Sequence, residues 1–500
     1  MNLFHSILLF YFRSRIQTKN TTITTFMDVT TFYKLLKSKF PHEVTLKQDV
    51  VLHKLSEFIY GDDADALFLL KGYAGTGKTT TIGTLVTHLW HTKKKAVLLA
   101  PTGRAAKVIS NYSKKEAHTI HRKIYFPKKD KSGGVSFVLQ PNKHRDTLFI
   151  VDEASMISDS QGDSKLFENG SLLDDLMMYV YSGHKCKLIL IGDTAQLPPV
   201  KLDLSPALDE RTLELNYNKN VTVIELDEVV RQDADSGILV NATNLREQLH
   251  DEFYAEFKFQ LSSFPDIIRL IDGYEIQDAI SDSYSENGKE EMAIIVRSNK
   301  RANVYNQQIR NRILFNENEL SAGDYLMVVK NNYFWLPPTS EAGFIANGDI
   351  IEVLEIFSIK ELYGFRFAEV NVRMVDYPNQ PPLETVLLLD TIHAETPALS
   401  YEDGNKLYQE VMNDYASETS KYKKFLKVKS NKYFNALQVK FSYAITCHKS
   451  QGGQWRTVFI EQPYLPNGVG KEYMRWLYTA MTRAKEKLYL IGFSDDFFIE

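Results

Sequence analysis

Cysteine is scarce: the 500 residues hold only Cys186 and Cys447. The two lie far apart and show no metal-ligand spacing, which excludes a disulfide framework and a cysteine-based zinc site and fits a reducing cytoplasm. Long apolar runs are missing as well. Nothing after the N-terminus approaches roughly 18 consecutive apolar residues, so we expect a soluble, cytoplasmic chain without membrane contact. The opening MNLFHSILLFYF is too short to span a bilayer, and neither a preceding basic residue nor a small-residue cleavage site marks it as a secretory signal. Residues 1–26 therefore read as an extension, with Met27 as the natural start. Charge of one sign is also lacking: 59 Lys and Arg against 63 Asp and Glu give a formal net charge of −4. A polyanionic partner would have to be met by a local patch. What remains is 44% hydrophobic and 24% charged, an ordinary globular composition. The length suits about two to four domains.

The chain is organised around residues 66–82, ALFLLKGYAGTGKTTTI. An apolar strand from Ala66 to Leu70 feeds the loop Gly72-Tyr73-Ala74-Gly75-Thr76-Gly77-Lys78-Thr79, and a helix with Ile82, Leu85 and Val86 on one face follows. This is GxxxxGK[ST] in the strand–loop–helix setting of a phosphate-binding loop. Gly72, Gly75 and Gly77 let backbone N–H groups curl around a polyphosphate, and the helix N-terminus, from Thr76 to Thr80, adds a favourable dipole. Lys78 would reach the β- and γ-phosphates, and the Thr79 hydroxyl would help hold Mg²⁺. ATP and Mg²⁺ are the expected cofactors.

Two further strand ends supply polar groups. Leu148–Val151 runs into Asp152-Glu153-Ala154-Ser155, where Asp152 would bind Mg²⁺ and Glu153 would orient and deprotonate a water. Leu190-Ile191-Gly192 runs into Asp193-Thr194-Ala195-Gln196-Leu197-Pro198-Pro199, and Gln196 is placed to sense a γ-phosphate. Arg231 and Arg483, far apart in sequence, either converge on that phosphate across a domain cleft or are surface arginines. Short apolar strands alternating with helices argue an α/β fold with a parallel sheet.

Residues 114–145 hold nine Lys and Arg against two acidic residues, with Tyr125, Phe126 and Phe137 among them and a Ser132-Gly133-Gly134 turn. This is a basic β-hairpin able to follow phosphates through Lys128 and Lys129 and to offer aromatic faces, or else a solvated loop. From Gly323 to Thr391 strand-like runs alternate with turn signals, which reads as a small inserted β-barrel. The chain then returns to the core along a single strand, Val439–Ile445.

The ordered strings GYAGTGKT, APTGRAAKVI, AHTIHR, DEAS, GDTAQLPPV, VVRQ, AITCHKSQGGQW and YTAMTRAKEKLYLIG resemble superfamily 1 (1B) helicases of the RecD/Dda-like type. The resemblance covers residues 48–492. It implies two RecA-like P-loop domains, the first at 45–230 with a hairpin insertion at about 114–146, the second at 231–322 and 436–500. An SH3-like insertion at 323–435 and an N-terminal extension and lead-in helix at 1–44 complete the expected division. It further implies ATP-driven translocation on single-stranded DNA, 5′→3′, with duplex unwinding at junctions. Gln48 matches the adenine-reading glutamine, and Arg231 and Arg483 match γ-phosphate arginines. Pro101, Thr102, Thr119, His121, Thr446 and His448 match positions along the DNA backbone. Single-strand-binding and replication or repair proteins are candidate partners, with a monomer as the expected state. Gln454 departs from the family, which often has glutamate there. A protein-stripping translocase and an RNA helicase share the same strings and remain open; a nucleotide-switched binding protein without nucleic acid fits them poorly.

Overall fold

The computed structural model describes residues 27–129, 135–159, 171–229, 236–254, 257–337, 340, 342–466 and 468–499, with backbone alone for 127–129 and 135–137. The expected extension at 1–26, the Ser132-Gly133-Gly134 turn and Arg231 lie outside the described residues.

The apolar runs form a six-stranded sheet with every pairing parallel. Its order across the sheet is 117–119, 95–100, 147–151, 187–192, 66–72 and 220–226. A parallel sheet is covered on both faces, which is why its strands read as unbroken apolar runs: all of Thr147–Val151 and of Lys187–Gly192 is buried. Alternate side chains divide between two cores. Phe68 and Leu70 pack with Ile82 and Leu85 on one face, and Leu67 and Leu69 pack with Leu173 and Leu176 on the other. The strands Thr147–Val151, Lys187–Gly192 and Ala66–Gly72 are neighbours, so three polar loops leave one stretch of the sheet's C-terminal edge. Ligands of open α/β sheets bind in such a crevice.

A second parallel sheet runs 444–446, 292–296, 455–461, 484–491 and 267–270. The helices Gly237–Asp251 and Lys471–Met481 cover one face, and Gly273–Asn287 and Asn299–Arg312 cover the other. The α/β reading thus holds for two separate sheets. The basic segment forms an antiparallel ladder, Tyr125–Lys129 against Val135–Leu139.

Between the pieces of the second domain sits a closed five-stranded barrel of Tyr325–Val328, Ile350–Leu362, Phe365–Met374, Leu383–Leu388 and Leu437–Phe441. The helices Tyr401–Asn413 and Lys421–Lys429 pack on its outside. The single strand expected over 439–445 is split. Leu437–Phe441 closes the barrel, and Ala444–Thr446 joins the second sheet after a two-residue joint. Barrel and sheet share one hydrophobic core, in which Ile294 and Phe459 meet Val328, Val370 and Val439. Among the described residues no helix is long and apolar enough to cross a membrane.

The joint is pinned by a buried ion pair. Arg310 Nε and Nη2 donate to the two oxygens of Asp324 at 3.0 and 2.9 Å. Tyr443 OH donates to Asp324 Oδ1 at 3.0 Å and accepts from Tyr325 N at 3.1 Å. Removing one partner of a buried pair strands the other charge. Arg310→Ala is therefore expected to destabilise the barrel–domain junction by about 3–5 kcal/mol. A lowered thermal midpoint and faster proteolysis near residue 324 are the readouts; unchanged values would refute the assignment.

Candidate functional site

The phosphate loop takes its shape from its glycines. Gly75 and Gly77 lie at φ of +73° and +84°, in the left-handed region that side chains disfavour. Gly72 leaves room for the lysine, since a Cβ there would lie 3.0 Å from Lys78 Cγ. Lys78 Nζ donates to Gly72 O at 2.6 Å and Tyr73 O at 2.7 Å, which holds the ammonium inside the curl. The helix Lys78–His88 has no side-chain cap, so its first N–H groups remain available to an anion.

Gln48 sits behind this loop. Its buried amide accepts from Thr45 N at 3.1 Å and donates to Thr76 O at 3.1 Å, bracing the loop from the start of the helix Leu46–Tyr60. The cavity beside the loop, about 480 Å³, is not lined by Gln48, Gly72 or Thr76; His42 reaches its wall instead.

Five of the catalytic candidates meet in that cavity: Lys78, Asp152, Glu153 and Gln196 from the first domain and Arg483 from the second. Gly75, Gly77, Thr79 and Thr80 line it too. Asp152 accepts from Tyr112 OH at 2.9 Å and from Glu153 N at 2.9 Å. Glu153 stands at φ +55°, an unusual conformation for its type, which turns its carboxylate from the strand end toward the cleft. Burial pushes this carboxyl above its ordinary value, against the pull of Arg483 and Lys78. Arg483 Nη1 lies 3.7 Å from Glu153 Oε1. The guanidinium is anchored by Thr479 O at 3.0 Å, Gly453 O at 3.4 Å and Thr482 Oγ1 at 3.2 Å. Gln196 is buried, and its Oε1 has no partner among the described residues.

Hard oxygen donors suit Mg²⁺. The Thr79 hydroxyl and the Asp152 carboxylate line one cavity and fit that requirement. Tyr73, Asp193, Gln454 and Lys485 also line it, although sequence reasoning assigned them no role. Asp193 had a signal, as the polar neighbour of Gln196 in GDTAQ. Lys485 had none.

The nucleic-acid candidates lie along the C-terminal edges of both sheets. Pro101 and Thr102 follow the strand Lys95–Ala100, Thr119 ends Ala117–Thr119, and Thr446 ends Ala444–Thr446. Thr102 Oγ1 accepts from Ala105 N and Thr119 Oγ1 from Arg122 N, both at 3.2 Å, so each threonine caps a helix while its own hydroxyl proton stays free to orient. Burial lowers His121 to about 4, which keeps its imidazole neutral at pH 7. His448 is exposed on the one-turn helix Cys447–Ser450. Lys128 and Lys129 lie on the hairpin strand.

One contact across the domains was not legible in sequence. At Gly452, φ +73°, a Cβ would lie 2.8 Å from Ala105 Cβ and 3.0 Å from Thr102 Oγ1; at Gly453 one would lie 2.8 Å from Arg104 Cδ. The Arg104 guanidinium stacks on Trp455 at 4.5 Å. APTGRAAK and HKSQGGQW therefore touch.

The sequence matches the AAA domain family over residues 60–258 and the UvrD-like helicase C-terminal domain family over residues 441–491. It is 24% identical over 515 residues to protein R530 of Acanthamoeba polyphaga mimivirus, spanning 88% of this chain and 98% of that one. Against the ATP-dependent DNA helicase dda of Enterobacteria phage T4 it is 24% identical over 454 residues, 84% of this chain and 93% of that enzyme. Against the ATP-dependent RecD2 DNA helicase of Deinococcus radiodurans it is 32% identical over 187 residues, 37% of this chain and only 22% of that enzyme. Similar solved structures include Pif1 helicases described in unwinding at forked double-stranded DNA, with 16% identity, a TM-score of 0.45 and coverage of 92% of this chain and 94% of that one.

At the start of the helix Gly103–Ser113 the barrel presses a carboxyl against the first domain. A Cβ on Gly103 would lie 2.8 Å from Asp349 Oδ1 and 2.9 Å from Tyr377 OH. Asp349 Oδ2 accepts from Ala346 N at 2.7 Å, while Oδ1 has no partner among the described residues. Burial, with a push from Asp376, raises Asp349 to about 8. The folded chain thus holds this proton more tightly than the unfolded chain. Its contribution to stability is complete below the unfolded value of 3.8 and lost as pH rises through about 8. Asp349→Asn keeps an acceptor and cannot ionise. Its thermal midpoint should gain on the wild type between about pH 5 and about pH 9. A difference that does not change with pH would show that Asp349 does not titrate in this range.

Proposed function

We propose that this chain, a member of the RecD/Dda-like superfamily 1 helicases, is an ATP-dependent DNA helicase that moves 5′→3′ along single-stranded DNA and separates duplex strands. The observation that carries the reading is the single cavity in which Lys78, Asp152, Glu153 and Gln196 face Arg483 from the other domain.

The triphosphate lies along the backbone amides of the loop and the N-terminus of the helix Lys78–His88, with Lys78 on the β- and γ-oxygens. Thr79 and Asp152 would hold Mg²⁺, which when bound would supply charge neutralisation. Glu153 orients the attacking water and takes its proton, a role that suits a carboxyl pushed up by burial. Gln196, lining the same cavity, senses the γ-phosphate. Arg483 stabilises the charge that develops there, a contribution worth roughly 10³–10⁵ in turnover for such arginines. Arg231 is proposed as a second arginine on that phosphate, and Gln48 as the residue that couples adenine to the loop it braces.

Hydrolysis is coupled to movement because both domains contribute to one site. Closing the cleft brings Thr102 and Thr119 of one sheet toward Thr446 and His448 of the other, where hydroxyls and a neutral His121 bond phosphate without reading bases. Alternate grip by the two edges advances the chain along the strand. The basic hairpin then stands where the duplex is split.

Single-stranded DNA should stimulate ATP hydrolysis, and Lys78→Ala should bring hydrolysis to background in a folded protein. Hydrolysis indifferent to DNA would rule out the motor reading. Strand displacement should proceed on 5′-tailed and fail on 3′-tailed duplexes; the reverse preference would overturn the polarity. Replacing Lys128, Lys129 and Lys131 by Gln should weaken binding and flatten the log–log salt slope by about 2. An unchanged slope would make the hairpin a solvated loop.

A further inference from the structure

The phosphate loop is held by its own domain through Gln48 and by the second domain through Tyr478. Tyr478 lies in the helix Lys471–Met481, five residues before Arg483, and is 1% exposed. Its hydroxyl accepts from Ala74 N at 2.9 Å, within the loop, and donates to Asp193 Oδ2 at 2.7 Å. Asp193 Oδ1 in turn accepts from Ala195 N at 2.9 Å. The next residue of the helix repeats the hold: Thr479 Oγ1 accepts from Leu197 N at 2.8 Å. Gln451 Nε2 donates to Leu197 O at 2.6 Å from the neighbouring loop. Ala195 and Leu197 are buried in the second domain's core rather than their own.

Two more contacts fall on the same stretch of loop. The Arg246 guanidinium lies 4.5 Å from the centre of the Tyr73 ring. Leu239 Cδ2 would lie 3.1 Å from a Cβ on Gly75. The second domain therefore touches positions 73, 74 and 75 in turn, with Tyr478 on the middle one.

A buried tyrosine in an apolar helix ordinarily needs one partner for its hydroxyl. This hydroxyl has two, both in the first domain, on the phosphate loop and on the turn that carries Gln196. Burial holds the phenol far above its ordinary value, so it keeps its proton and remains a donor to Asp193 at any working pH. Arg483 is tied to the same helix, since its Nε donates to Thr479 O at 3.0 Å. The arginine and the tyrosine thus share one rigid support.

We propose that Tyr478 is a positioning residue that links the conformation of the phosphate loop to the placement of Arg483. With the Ala74 amide turned to the Tyr478 hydroxyl, the helix seats against the loop and Arg483 stands at Glu153. When the phosphates leave and the loop shifts, the bond is lost and the helix withdraws, taking the arginine along. The proposal rests on the ATPase reading above and adds the step by which the loop reports its state to the second domain.

Tyr478→Phe removes the hydroxyl and keeps the ring. In DNA-stimulated ATP hydrolysis it should lower kcat about tenfold with KM for ATP within about twofold, because a positioning contact acts on the transition state and not on ground-state binding. Combined with Arg483→Ala it should cost nothing beyond Arg483→Ala alone, since the two act as one unit. Thr479→Val, which removes the acceptor for Leu197 N and spares Tyr478, should show the same split. Wild-type hydrolysis under the same conditions carries the ATPase reading separately. Given that activity, an unchanged kcat in Tyr478→Phe, or a loss that adds in full to that of Arg483→Ala, overturns the role of Tyr478 and leaves the ATPase reading standing.

Discussion

A half-buried carboxylate that takes its counter-charge from another domain governs this molecule. Glu153 sits in a part of the cleft where ionisation is disfavoured, and the guanidinium nearest to it, Arg483, comes from the second sheet's domain. Stranding a charge in such a place costs several kcal/mol, so an open cleft leaves both groups to water and a closed one pairs them. The γ-phosphate of a bound nucleotide would add negative charge at the same point. Closure then follows from charge balance, and the two parallel sheets need only present their C-terminal edges to each other.

Much of this was legible because it is local. The phosphate loop, the carboxylates after Val151 and the turn after Gly192 are each a short string whose geometry is set by a strand end, and the apolar runs before them announced parallel strands. The barrel was legible from turn signals at strand spacing. What was hidden depends on partners distant in sequence. Tyr478 carries no signal of its own within YTAMTRAKEKLYLIG, and nothing near it indicates that its hydroxyl meets Ala74, 404 residues away. Nothing in the string HKSQGGQW shows why Gly452 and Gly453 stand there, since the reason is the close approach of Thr102, Ala105 and Arg104. Gln48 stands out in the sequence as a match to the adenine-reading glutamine, yet its bond to Thr76 O needed the tertiary fold. The run 439–445 looked like one strand because both halves are apolar; only the closing of the barrel divides it.

The barrel is not an accessory hung on a flexible linker. It shares a core with the second sheet and is fixed by the Arg310–Asp324 pair, with Tyr443 bonded to the same carboxylate. It also reaches the first domain, where Asp349 meets Gly103 and the ring of contacts continues through Gly343 to Arg122 at the root of the hairpin. First domain, barrel and hairpin root are therefore mechanically contiguous.

The split of the run 439–445 has a geometric consequence. Since only Ser442 and Tyr443 separate a strand of the barrel from a strand of the second sheet, the two cannot turn independently, and the barrel behaves as an outrigger on that sheet. Any small angular displacement at the cleft is multiplied by distance from the pivot. A rotation of the second sheet at Arg483 would therefore also be carried to the barrel wall that meets Gly103 of the first domain.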